Sequence, residues 1–235
     1  MTKPINLLLL LLLPFFAVAQ IGSFKIGSTL DFDPHELDNT RQYRGYLVKE
    51  GYHSYIPGVG ITFHRNRQLS KLEYSVVFDE SSEYDWQGDL DQLDWNKGGG
   101  ITFDWKRNDR DNIMWAWRYN ADSSRYEFTV YVDWKYQNRT GFGNTKSKVD
   151  DVLMVANSGD IVDIDFIRQS GKKWYVTFKN MTQELETSGV VEVRVNPRWS
   201  RRIGPWFGGA NNSPGRFGGV ASQDMIMGIY YNAEN

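Results

Sequence analysis

A chain of 235 residues with 27 basic and 29 acidic side chains and no cysteine has no disulfide staples, and its near balance of charge gives no case for nucleic acid or an anionic membrane as partner. The length suffices for one all-β domain with an ordinary hydrophobic core. Nine Trp, thirteen Tyr and thirteen Phe are the main departure from average composition, and aromatics suit both pleated, half-buried surfaces and ligand contacts.

The first residues, MTKPINLLLLLLLPFFAVAQ, combine Lys3, an apolar run from Leu7 to Val18 and the small triplet Ala17-Val18-Ala19. That layout predicts a secretory signal over residues 1–19, cleaved after Ala19; an apolar run of about 12 residues is shorter than the ~20 of a spanning helix. The product is expected to be secreted, to an extracellular or periplasmic space. Residues 20–45 read as an entry segment that wraps a single domain over 46–235, with a short helical turn within "DPHELDNTRQY" (33–43).

Alternating apolar and polar residues then predict strands at 59–65, 71–79, 100–106, 112–119 and 126–134, a helical turn in "KSKVDDVLMVA" (146–156), and further strands at 160–168, 173–179, 189–195 and 224–231. Turn signals such as "KRNDRDN", "NADSSR" and "RQSGKK" separate them. Helices that could cross between parallel strands are missing. The fold class is therefore all-β, an antiparallel two-sheet β-sandwich of jelly-roll type.

Side chains alternate between faces along a strand. Ile113, Trp115, Trp117 and Tyr119, with Phe128, Val130, Val132 and Trp134, form the expected core face. The opposite face then carries Asn112, Arg118, Tyr131 and Asp133, a polar and aromatic set suited to a hydroxylated ligand or, equally, to a solvated sheet surface paired across strands. Trp86, Trp95, Trp105, Trp199 and Trp206 fall in loops or at strand ends, where indoles stack on sugar rings or cap the sandwich. In "RRIGPWFGGANNSPGRFGG" (201–219), Ile203, Trp206 and Phe207 predict a closing strand that reaches the core, with a turn at Gly208 and Gly209. Asn211, Asn212 and Arg216 in the following loop are left to touch a ligand.

Two groups of segments carry a family pattern. "YDWQGDLDQLDWNKGGG" (84–100), "NIMWAWRYN" (112–120) and "YEFTVYVDW" (126–134), together with "RRIGPWFGG" before "DMIMGIYY" (224–231), resemble the β-jelly-roll polysaccharide lyases of the alginate and glucuronan type and related secreted concanavalin-A-like β-sandwich proteins. The resemblance implies β-elimination chemistry, in which an uronate carboxylate is neutralised, a base takes the C5 proton and an acid protonates the leaving glycosidic oxygen. Lys97 corresponds to the family's loop lysine and Tyr131 to a strand tyrosine. Asn112 and Met114 stand where the family has Ser and Arg, and a second strand tyrosine is replaced by Val or Asp133.

The leading expectation is a polysaccharide-recognising protein that binds glycan on a concave sheet around Arg118 and Tyr131, with Asp133, Arg139, Trp206, Asn211 and Arg216 at the rim. The first alternative is a lyase for acidic polysaccharide, with Tyr131 or Lys97 in proton transfer, Arg118 or Arg139 near the uronate, and Asn112 on its carboxylate. A second is a non-catalytic surface protein. Nucleic acid and membrane are not expected as partners, and the oligomeric state is not readable. His35, His53 and His64 lack a zinc spacing, and His64, beside Arg65, reads as a surface residue. Asp163 and Asp165 share a face, without the Glu-x-Asp-x-x-Glu array of sandwich glucanases. No metal or cofactor is predicted, although Asp89, Asp91 and Asp94, or Asn211 with Asp224, are oxygen donors of the kind calcium takes.

Overall fold

The computed structural model describes residues 41, 43–56, 63–65, 68–87, 89–105, 110–134, 138–142, 145–146, 151–194, 198–208 and 219–234. The expected signal, the wrapping segment up to residue 40, Asn211, Asn212 and Arg216 lie outside them. Among the described residues, no helix is long and apolar enough to cross a membrane.

Among the described residues fifteen strands follow one another: β1 (Arg44–Val48), β2 (Tyr55–Ile56), β3 (Phe63–Arg65), β4 (Lys71–Phe78), β5 (Asn96–Thr102), β6 (Asn112–Asn120), β7 (Arg125–Asp133), β8 (Asn138–Thr140), β9 (Thr145–Lys146), β10 (Met154–Ala156), β11 (Ile161–Ser170), β12 (Lys173–Asn180), β13 (Leu185–Glu192), β14 (Trp199–Ile203) and β15 (Met225–Glu234). Seven form one sheet, in the order β13-β12-β11-β4-β15-β1-β2. A second, eight-stranded sheet runs β3-β14-β5-β6-β7-β8-β9, with β10 also paired to β7. The pairings are antiparallel, and the two sheets pack face to face as a β-sandwich.

Two expectations need correction. The segment 146–156 contains strand β10 where a helical turn was expected, because Met154 and Ala156 bury their side chains while Val155 between them does not, a period of two. The closing strand ends at Ile203, short of Trp206 and Phe207; Trp206 makes only isolated bridges, to Ser54 and Lys97.

Between the sheets lies an aromatic core. Phe78 of β4 stacks on Tyr126 of β7 and lies against Trp117 of β6, each at a centroid separation of 4.4 Å. Trp115, Trp117, Phe128, Phe166 and Phe178 are fully buried, which for aromatics of this size is worth roughly 1.5–3 kcal/mol each. Phe207 joins them, with centroids 5.3 Å from Tyr84 and 5.8 Å from Trp86. Gly208 follows in a left-handed conformation (φ 82°), and its N–H donates to Asn96 Oδ1 at 2.6 Å. A Cβ there would stand 1.6 Å from the Gly219 carbonyl oxygen.

This predicts a ranking of glycine substitutions. Gly208→Ala meets both an unfavourable φ and a backbone clash, and is expected to cost about 2 kcal/mol or more. Gly51→Ala has a similar φ of 78° but nothing within 4 Å of its Cβ, and should cost about 1 kcal/mol. Urea midpoints of the two variants check the order, and equal losses would contradict it.

Candidate functional site

Cross-strand partners share a face, so the register of β14, β5, β6 and β7 lays out the outer face of the eight-stranded sheet row by row. At one end stand Arg201, Thr102, Asn112 and Asp133. Ile203, Gly100, Met114 and Tyr131 form the next row, followed by Lys97, Ala116 and Thr129, and then by Arg118 and Glu127. Asn112, Arg118, Tyr131, Asp133 and Lys97 therefore share one face of one sheet.

That face is not a solvated one. Asn112, Arg118, Tyr131 and Asp133 are between 1 % and 7 % exposed, and Trp95, Met114, Ala116, Tyr131 and Ile203 form a second hydrophobic cluster on the side of the sheet away from the main core. Val152 and Trp206 pack against it. Met114 and Ala116 are the sequence signal for this cover, since two apolar residues in mid-strand do not belong on a wetted surface.

Within this setting each expected site residue has a distinct place. Lys97 extends its ammonium over the Tyr131 ring, 4.7 Å from the centroid, and donates to the Trp95 carbonyl. Burial lowers its pKa to about 8, against a smaller opposing effect from the Asp94 carboxylate. Trp206 is held beside it by reciprocal backbone hydrogen bonds of 3.1 and 2.9 Å. Arg118 is bound inside the protein: its Nε donates to Glu127 Oε2 at 2.6 Å, its Nη1 to the Leu93 carbonyl, and its guanidinium lies over Trp95. Asn112 accepts from the Asp133 backbone N–H, tying β6 to β7. Arg139 pairs with Val132 rather than Tyr131, so it lies on the opposite face, over the Trp134 ring.

Arg201 escaped the sequence reading. It sits in the first row of the outer face, and its Nε and Nη2 are shielded from solvent with no hydrogen-bond partner. Its position became readable only with the register of β14. Of the loop tryptophans, Trp86 and Trp95 are buried while Trp105 and Trp199 are exposed. His64, expected at the surface, is buried and accepts or donates a 2.9 Å bond with the Tyr231 hydroxyl.

Among the described residues no three His, Asp or Glu side chains converge to hold a metal ion. Asp89 caps the turn at Leu90–Leu93 by accepting from the Asp91 N–H, and Asp224 accepts from the Glu50 N–H. A groove of about 270 Å³ lined by Asp85, Asp89, Gln92, Leu93, Asn120 and Asp122 lies past the Arg118 end of β6. Its carboxylates give it a negative field; the Lys97–Tyr131 contact, with an amine whose pKa is brought toward neutrality, is the stronger candidate site.

No family model matches the chain, and no curated protein matches it. Among solved structures it is similar to an alginate lyase at 13% identity, over 82% of this chain and 80% of that one, with a TM-score of 0.44. A variant of that lyase in complex with alginate tetrasaccharide gives 12% identity, coverage of 82% and 80%, and a TM-score of 0.45. Scytalido-glutamic peptidase with a transition state analogue gives 9%, 80% and 77%, and 0.37.

Two predictions test the electrostatics. Glu127→Ala strands the buried Arg118 charge and is expected to cost about 3 kcal/mol, whereas the double change Arg118→Met with Glu127→Leu should recover most of it. Urea unfolding of both variants checks this; equal losses would mean that the ion pair is not what holds the region. For Lys97 the folded pKa of about 8 lies below that of an exposed lysine, so between the two the unfolded chain binds more protons and stability rises with pH. Lys97→Met is accordingly expected to exceed the wild type by roughly 2 kcal/mol at neutral pH, with the gap closing toward pH ~10.5. A gap that does not change with pH would show that Lys97 is not desolvated.

Proposed function

We propose that the protein is an exported β-sandwich that binds an acidic polysaccharide on the outer face of its eight-stranded sheet and cleaves it by β-elimination at Lys97 and Tyr131. The observation that carries this reading is the contact between a partly buried lysine, its pKa brought down to about 8, and a tyrosine on the neighbouring strand pair. An amine buried at a cost to stability and poised to gain or lose a proton near neutral pH is what general acid–base chemistry requires.

In the elimination, the neutral Lys97 amine accepts the C5 proton of the uronate and the Tyr131 hydroxyl donates to the departing glycosidic oxygen. The C4–O bond breaks, and its electrons are replaced at C4 by the new C4–C5 double bond. Carbanion character at C5 must be spread onto the carboxylate, which needs a cation or donor beside it. Arg201, two of whose nitrogens have no internal partner, suits that task better than Arg118, whose charge is balanced by Glu127.

Recognition without cleavage is the second reading. Trp206, half-buried against the cluster of Met114, Ala116 and Ile203, favours it, since an indole face suits a sugar ring whether or not a bond is cleaved.

Incubation with alginate, polyglucuronate and other uronate polymers separates the readings. Elimination yields an unsaturated product absorbing near ~235 nm, at a rate that rises through pH 8 as Lys97 loses its proton and falls at least about 100-fold in Lys97→Met and Tyr131→Phe. Retention on an immobilised polymer without absorbance supports recognition alone. Neither signal on any acidic polymer removes both readings.

A further inference from the structure

Strand β14 and the edge strand β3 carry the outer face of the eight-stranded sheet beyond its Arg201 row. Trp199 stands two residues before Arg201 on β14 and so shares its face, and Arg65 of β3 is the cross-strand partner of Trp199. The Arg65 guanidinium lies over the indole, with Cζ 5.9 Å from the ring centroid. Trp199 is 44 % exposed, and among the described residues it is the one tryptophan exposed within a strand. Arg65 is exposed beside it, and so is Arg198, which precedes it in the chain.

Charge is distributed unevenly along this face. Arg65, Arg198 and Arg201 gather at the Trp199 end, where Asp104, the carboxylate that follows β5, is already paired with Arg110 at 3.5 Å. At the other end, past Arg118 and its partner Glu127, lies the groove lined by Asp85, Asp89 and Asp122. Lys97 and Tyr131 stand between the two. A polyanion held at Lys97 is therefore drawn along β14 toward Trp199 and turned away from the acidic groove. Arg201, with Nε and Nη2 lacking an internal partner, lies on that path.

We propose that Trp199 and Arg65 form a remote subsite for the acidic polysaccharide, so that the protein holds a stretch of polymer reaching from Lys97 to the β3–β14 edge. The indole offers a flat apolar surface to the C–H face of a sugar ring, and the guanidinium fork matches the two oxygens of an uronate carboxylate. Trp199 stands three rows from Lys97, roughly 20 Å at ~3.4 Å per residue, a span that a polymer bridges and a disaccharide does not. The subsite rests on the reading of this face as one that binds acidic polysaccharide, and holds whether or not the bound chain is cleaved.

The test is an equilibrium titration of the full chain, carrying Tyr131→Phe so that elimination does not consume the probe, with alginate, polyglucuronate and the disaccharide of each. Trp199→Ala is expected to raise Kd for the polymer about three- to tenfold, as loss of an aromatic platform does. Arg65→Ala should raise it about three- to fivefold at low ionic strength and less at high. Both side chains are exposed, so neither change threatens folding. Affinity for the disaccharide should not move in either variant, and Lys173→Ala, which removes an exposed cation from the other sheet, should leave both affinities unchanged. Polymer binding unaltered by Trp199→Ala, an equal loss for polymer and disaccharide, or an equal loss in Lys173→Ala would overturn the subsite while leaving the Lys97 face as a binding site. Absence of binding to either polymer in the parent protein would remove that broader reading and the subsite with it.

Discussion

The ring of Trp115 occupies the place that a side chain at Gly98 would take. A Cβ there would fall 1.9 Å from the indole, closer than any packing adjustment can accommodate, so a glycine at this point is a condition of the fold. Around it the ladder between β5 and β6 shifts register between Lys97 and Gly99. A bulge of this kind re-aims the side chains on either side of it. Here it lets Trp115 lie inward across the strand while Lys97 faces out. Gly100, two residues on, is required for another reason: a Cβ there would stand 2.1 Å from the Ile113 carbonyl oxygen and 2.6 Å from Met114 Cα. The glycine run thus makes room for the Trp115 ring and for the close approach of the β6 backbone.

From that constraint follows a sheet whose central strands are packed on both faces. The inner face of β6 belongs to the aromatic core, and its outer face to the smaller cluster around Met114 and Tyr131. Lys97 is carried into the second cluster by the backbone and loses solvation there without gaining an ion pair. Arg118, two positions beyond Ala116 on the neighbouring strand, meets Glu127 directly across the ladder and is neutralised in place. Two cations on one face thus meet opposite fates, decided by the residue that register sets beside each. One becomes structural and the other stays chemically adjustable.

How much of this could be read from the sequence depends on the range of the interactions concerned. The long strands β4, β6, β7, β11, β12 and β15 each show several cycles of alternation, and the division of β6 into Trp115 and Trp117 on one side and Met114 and Arg118 on the other is local information. The cover on the outer face is not local: Trp95, Val152, Ile203 and Trp206 reach it from separate parts of the chain. Strands of five residues or fewer, such as β1, β8, β10 and β14, are too short for a period to register, and they exist because a neighbouring ladder accepts them. Arg139 follows Tyr131 closely in the chain, yet the register with Val132 puts it on the other face. His64 looked exposed beside Arg65, since two adjacent polar residues on a strand give no sign of which one turns inward.

Strand β14 shows how far one register decides function. Its adjacent arginines point to opposite faces, Arg201 toward the Lys97–Tyr131 side and Arg202 between the sheets, and a slip of one residue would exchange them. Three pairs with β5 and three with β3 are a short ladder to hold such a distinction. The additional anchors follow immediately in the chain: Trp206 clasps Lys97 through two backbone bonds, Phe207 enters the aromatic core, and Gly208 donates to Asn96. Each anchor ends on β5 or on the core behind it, so the strand that carries Lys97 also sets where both arginines stand. The Trp-Phe-Gly turn therefore contributes to the chemistry of the outer face without supplying its reactive groups, by fixing the strand that precedes it.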